Sequence, residues 1–267
     1  MSATRTAFDA DTALEPAGDG RWRAEISERW FVGRGPNGGF LAAIAVRLME
    51  ALVDDPERVP RSLTLHFLEA AAAGPIELSG TVERSGRSAT AVSLRMEQGG
   101  RPVALGLGAL AVWRDGEREH LAASPPGVAR PEELPEMSVS EVPDAPAFVQ
   151  NYEWRWATDP APGEQALVGG WIRAPGGRTV DHVAVAAFSD AFPPAVFPLI
   201  GRVAAAPTID LTIHFRAPLR DVGAGWVLGA FRTRRVAGGF FEEDGELWSE
   251  GGTLLAQSRQ LAMLREP

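Results

Sequence analysis

Two stretches of the chain are apolar almost without interruption. Residues 38–53, GGFLAAIAVRLMEALV, and residues 181–192, DHVAVAAFSDAF, are too long for single strands. They predict helices buried on several sides, because a surface helix would carry a polar stripe. Elsewhere the pattern alternates. Leu63, Leu65 and Phe67 interleave with Ser62, Thr64 and His66, the period of two expected of a strand with one face on a core. The same alternation returns as DLTIHF at residues 210–215, about 148 positions after SLTLHF at 62–67. Each helical stretch precedes its strand motif at that offset, and strand-like runs ending at Arg114 and Arg265 close the two units. Self-similarity of this length marks a tandem repeat.

Each unit therefore predicts an initial hairpin, one long apolar helix and several antiparallel strands, the helix supplying the core around which the sheet curls. The fold class is α+β, and two such units in one chain form a double hotdog, the copies pairing as the subunits of a dimer do. The divisions are an N-terminal repeat over 1–114, a linker over 115–147 and a C-terminal repeat over 148–267. In the linker, prolines at 125, 126, 131, 135, 143 and 146 oppose regular structure.

Composition narrows the chemistry. With 45% hydrophobic and 23% charged residues, the 267-residue chain has the make-up of a globular protein. Its net charge of −9 argues against nucleic-acid partners and against attraction to anionic lipid. There is no cysteine, which removes thiol nucleophiles, thiolate metal sites and disulfides. Every one of the 26 basic residues is arginine, which removes Schiff-base chemistry and a phosphate-loop lysine. The histidines at 66, 120, 182 and 214 show no metal-ligand spacing, so neither a metal nor a cofactor is expected. The longest apolar run, Val103–Trp113, falls short of the roughly 20 residues that cross a bilayer. The first residues lack a basic start and an apolar stretch, and the expectation is a cytoplasmic protein without membrane insertion.

Candidate chemistry emerges where the copies differ. Asp190 shares a helical stripe with Val183, Ala186 and Ala187, and its counterpart in the first copy is Ala42. A carboxylate in such surroundings needs polar partners or a catalytic task. Thr208, opening the second strand motif, corresponds to Pro60, although strict alternation puts it on the polar face with Asp210, Thr212 and His214. Gln260, on the last strand, corresponds to Gly108 or Ala109.

On these residues the sequence resembles the acyl-CoA thioesterase II, or TesB-like, family of double hotdog hydrolases. SDAFPP carries Asp190, PTIDLTIHFRAP carries Thr208, AQSRQLAMLR carries Gln260, and PNGGF at 36–40 resembles the family's glycine-rich approach to its first helix. The first copy departs from the family with LEAAAAGP after LTLHF. The resemblance implies hydrolysis of an acyl-CoA to free acid and CoA, with Asp190 as base or anchor and Thr208 and Gln260 holding the water. Gly38 and Gly39 are candidates for substrate contact through backbone N–H groups. Two other readings stay open: a hotdog hydratase or dehydratase using His182 with Asp181, and a binding protein that sequesters an acyl-CoA. His66 and His214, at equivalent repeat positions, read as sheet-face residues. The cluster Arg232, Arg234 and Arg235 reads as a solvated strand or turn, with CoA phosphates as its alternative ligand. Exposed sheet edges and faces favour a homo-oligomer.

Overall fold

The structure, a computed structural model, describes residues 6–116, 118, 120–138, 145–157, 165–220 and 222–265. The first half contains α1 (Ala7–Asp11), β1 (Glu15–Gly18), β2 (Arg21–Ile26), β3 (Phe31–Val32), β4 (Gly35–Pro36), α2 (Gly38–Val53), β5 (Arg58–Phe67), β6 (Gly74–Ser85), β7 (Thr90–Gln98) and β8 (Arg101–Val112). The second contains β9 (Glu153–Trp156), β10 (Leu167–Arg173), α3 (His182–Phe188), α4 (Val196–Ile200), β11 (Thr208–Phe215), β12 (Val227–Arg232), β13 (Val236–Ala237), β14 (Phe240–Ser249) and β15 (Leu254–Met263).

Twelve strands form one antiparallel path, β1-β2-β6-β7-β8-β5-β11-β15-β14-β12-β10-β9, with β13 attached to β14. The order reads the same from either end once each strand is exchanged for its repeat partner. The halves join where β5 pairs with β11, in a register that sets Thr64 opposite Thr212. These residues are equivalent in the repeat, 148 positions apart, and their hydroxyls meet at 3.0 Å. The pseudo-twofold axis of the duplication passes through this pair.

Helices α2 and α3 pack on each other inside the curled sheet, and α2 also lies against β5, β6, β7 and β8. Phe40–Val46, Leu48 and Met49 of α2 are buried, as is all of α3, which explains why neither stretch carries a polar stripe. Asn37 caps α2 by accepting the Phe40 N–H at 3.1 Å, and Asp181 caps α3 by accepting the Ala184 N–H at 2.8 Å. Such caps satisfy N–H groups that a helix start leaves unpaired.

The second repeat corrects the expectation of a long helix in each copy. Helix α2 has 16 residues and α3 only 7. The Ser189 hydroxyl bonds back to the Val185 carbonyl at 2.9 Å, and Pro193 and Pro194, without N–H groups, cannot extend the ladder. Asp190 consequently lies in the turn beyond α3. Of the linker, residues 117, 119 and 139–144, Pro143 among them, lie outside the described residues. Its described part holds one 3₁₀ turn, Pro131–Glu133, and is fastened to the second half by the Trp171 indole N–H, which donates to the Ala129 carbonyl at 3.0 Å.

The close approach of α2 to α3 depends on glycine. A Cβ on Gly39 would stand 2.3 Å from the Ala187 carbonyl oxygen and 2.9 Å from Asn37 Oδ1. Gly39→Ala should therefore cost about 1–3 kcal/mol, the usual penalty of overpacking, measured by urea denaturation. Gly127→Ala, where a Cβ meets nothing within 4 Å, should change stability by less than about 0.5 kcal/mol.

Candidate active site

Asp190 sits where the two halves meet. Its Oδ2 accepts the Gly39 N–H at 3.1 Å and the Asn37 side-chain amide at 3.1 Å, and the same amide reaches the Asp190 carbonyl at 2.7 Å. The Gly38 N–H and the Gln260 side chain also hydrogen-bond to this carboxylate. Glycine is required here too, because a Cβ on Gly38 would lie 2.8 Å from Asp190 Oδ2. Burial raises the Asp190 pKa to about 6, and these donors restrain the rise. The result is a carboxylate that ionises just below neutrality, in the range useful to a general base.

Thr208 reaches the site through an irregularity. The register of β11 against β15 slips between Thr208 and Asp210, so the strict alternation that placed Thr208 outward breaks at that point. Its hydroxyl donates to Gln260 Oε1 at 2.9 Å. Gln260 itself is 6% exposed, on the inner face beside Ser258 and Ala262, and is no solvated amide. Its Nε2 donates to Glu243 Oε1 at 2.8 Å. Glu243, on β14 directly opposite Gln260 in the sheet, is 2% exposed, and its second oxygen accepts the Ala195 N–H at 2.5 Å. Burial raises its pKa to about 7, with the charge of Asp190 adding to the rise.

Glu243 and Asn37 are the site residues that sequence reasoning missed. The signal for Glu243 was the copy asymmetry already applied to the others. Gln260 pairs across from Leu211 as Gly108 pairs across from Leu63, and Glu243 faces Gln260 as Val92 faces Gly108. The first copy thus has Pro60, Val92 and Gly108 where the second has Thr208, Glu243 and Gln260. Met49 occupies the space above Gly108, its Cε 2.6 Å from where a Cβ would be. Asn37 was visible only as part of PNGGF.

Residues 26–111 match the acyl-CoA thioesterase N-terminal domain, and residues 131–264 match the acyl-CoA thioesterase C-terminal domain. The chain belongs to the acyl-CoA thioesterase family. Among its relatives, an uncharacterized protein of Mycobacterium tuberculosis is 25% identical over 278 residues, covering 91% of this chain and 90% of its own. A protein of unknown function with a hot dog fold from Alicyclobacillus acidocaldarius superposes with a TM-score of 0.89 at 30% identity, over 99% of this chain and 100% of that one. An acyl-CoA thioesterase II from Mycobacterium marinum shares the fold with a TM-score of 0.78 at 20% identity, over 98% and 99% of the two chains.

Within this acyl-CoA thioesterase fold, other sequence candidates are not assembled into a site. The carboxylate of Asp181 is spent on the Ala184 N–H and on Arg178, with oxygen to nitrogen distances of 2.8 Å and 2.7 Å. His182 packs its ring edge-on against Phe215, with centroids 5.3 Å apart, and burial lowers its pKa to about 4. The pair required by the hydratase reading is therefore not built. His66 and His214 are exposed on the outer sheet face. Arg234 is paired with Asp244, and Arg232 and Arg234 open on a cleft of about 690 Å³ that Asp190, Thr208 and Gln260 do not line. No group of three or more His, Asp or Glu side chains among the described residues could hold a metal ion. No helix among them is long and apolar enough to cross a membrane.

The raised pKa of Asp190 makes a prediction about stability. The folded state holds this proton more tightly than the unfolded chain, so wild-type stability falls as pH rises from 3.8 to about 6. Asp190→Asn lacks this loss. Urea midpoints across that window should shift progressively in favour of the variant, by at most about 1.4 kcal/mol per pH unit for one proton.

Proposed function

We propose that the chain hydrolyses acyl-CoA thioesters, with Asp190, Thr208 and Gln260 placing the attacking water. The observation that carries this reading is the convergence of all three side chains, distant in sequence, on one partly buried point at the junction of the halves. Asp190, ionised above about pH 6, takes a proton from the water as its oxygen attacks the thioester carbonyl. The tetrahedral adduct then collapses, the C–S bond breaks, and the CoA sulfur leaves with a proton. Gly38 and Gly39 border the same point, and in this reading their bare backbone lets the thioester approach. Their N–H groups face the Asp190 carboxylate, so contact with a carbonyl oxygen requires them to exchange partners.

The same reading takes 1–114 and 148–267 as the two hotdog units joined by 115–147, with the catalytic residues confined to the second. It places the enzyme in the cytoplasm, in fatty-acid metabolism, with no cofactor, and as a homo-oligomer. Leu105 and Leu107, 38% and 65% exposed on the outer side of β8, support assembly as apolar surface that a partner would cover.

The test is thiol release from a panel of short, medium and long acyl-CoAs, followed with a thiol-reactive dye to which the cysteine-free chain contributes no signal. Wild type should release CoA. Asp190→Asn should lower kcat by about 10²–10⁴-fold, and Thr208→Val and Gln260→Ala by about 10–10²-fold through misplacement of the water. Activity of the wild type should fall as pH drops through about 6. A panel without release, combined with saturable binding that Asp190→Asn leaves intact, would replace the enzyme with a binding protein.

A further inference from the structure

We infer that Glu243 is a positioning residue that sets the direction of every hydrogen bond in the Thr208–Gln260 chain, and through it the orientation of the nucleophilic water. The inference rests on the thioesterase reading for its catalytic consequence, but its structural content stands on the geometry alone.

The argument follows donors and acceptors. An ionised carboxylate only accepts. Glu243 receives the Ala195 N–H on one oxygen and so presents the other as an acceptor to Gln260. Of the two ends of the Gln260 amide, only the NH₂ end can face it, which turns Oε1 toward Thr208. The Thr208 hydroxyl must then give its single proton to Oε1, as it does at 2.9 Å. What remains free on Thr208 is a lone pair. A water lodged between Thr208 and Asp190 therefore donates one hydrogen to each and keeps its own lone pair for the thioester carbon. Reversing the amide reverses the outcome: the NH₂ would donate to Thr208, the hydroxyl proton would point at the water, and the water would lose Thr208 as an acceptor and have one of its two lone pairs engaged.

Protonation of Glu243 favours that reversal, because a carboxylic acid can donate to Oε1 of a flipped Gln260, while an ionised Asp190, which also receives the Gln260 amide, opposes it. The groups bearing on this carboxyl are, after burial itself, the Ala195 N–H and the Gln260 amide, which favour ionisation, and Asp190 and Asp244, which oppose it. The acid serves two partners, the buried Ala195 N–H on one oxygen and the Gln260 amide on the other. Glu243 is 2% exposed and makes no ion pair among the described residues, and the equivalent residue of the first copy is Val92, beside a Gly108 with no amide to orient. A buried carboxylate without an ion pair costs several kcal/mol; the Ala195 N–H needs only a neutral acceptor, which a glutamine would supply without that cost.

Two measurements test this. In the first, wild-type protein labelled with ¹⁵N-glutamine is titrated by NMR, the Gln260 side-chain resonance being assigned by its loss in Gln260→Ala. The Gln260 NH₂ signal should shift with a midpoint near 7 and should cease to titrate at that midpoint in Glu243→Gln. A signal that ignores pH across this range in the wild type overturns the inference, whether or not the protein turns over any substrate. In the second, Glu243→Gln, which keeps the shape and removes the charge, should lower kcat by about 10-fold or more with KM within about 2-fold. The acid limb of log kcat against pH should drop from a slope approaching two protons to a slope of one. Wild-type kcat and an unaltered acid limb in this variant would overturn the inference. Absence of turnover in the wild type would instead overturn the thioesterase reading and leave the NMR titration to decide the role of Glu243.

Discussion

A carboxylate held away from water has to be surrounded by donors, and at Asp190 those donors come from both halves of the chain. Asn37, Gly38 and Gly39 open the first long helix, Gln260 comes from the last strand, and Asp190 itself lies in the turn after α3. The need to bring these groups within hydrogen-bond reach explains features that look unrelated in isolation. The glycine pair is bare because side chains there would strike Asp190 and Ala187. Asn37 divides its amide, its oxygen capping one helix and its nitrogen gripping the turn after the other. Helix α3 stops early, so that Asp190 is delivered in a turn with its side chain directed at the junction instead of continuing along a buried stripe.

The duplication makes this arrangement intelligible. Pairing of β5 with β11 through equivalent residues lets one sheet pass continuously from copy to copy, so neither copy has an exposed edge at the seam. Two equivalent strand pairings result, and at only one of them do a glutamine and a glutamate face each other. At the other, Val92 and Gly108 leave a space that Met49 fills, a flexible side chain suited to irregular gaps. The same backbone irregularity recurs in both strands, between Pro60 and Ser62 and between Thr208 and Asp210. The backbone scaffold is thus common to both copies, while the hydrogen-bonded side chains belong to the second.

Polarity in that network is directional. Each member can satisfy its neighbour in only one orientation once an acceptor-only group stands at the end of the chain. Glu243 supplies such a group, and the low dielectric around it strengthens the preference. In this respect the carboxylates differ: Asp190 accepts its donors at the junction of the halves, while Glu243 accepts from Gln260 and from the Ala195 N–H.

The sequence by itself determined the repeat, the buried character of the helical stretches, the alternation of the strands and the copy in which polar residues accumulate. These are local or self-comparing properties, carried by periodicity and by the match of SLTLHF to DLTIHF. Asp190, Thr208 and Gln260 stood out because their counterparts are apolar or lack a side chain. Glu243 was hidden by the run EED at 242–244, which reads as a solvated turn, and its burial depends on which face β14 turns inward. The length of α3 was overestimated because periodicity counts apolar positions and does not weigh a serine that bonds back to the helix before a proline pair. The inward turn of Thr208 needed a register slip against β15, a relation between strands 52 residues apart. What only the tertiary structure decided, therefore, was direction: which face each side chain takes and which partner receives its hydrogen bond. Those choices are made by pairing between distant strands, and no local pattern encodes them.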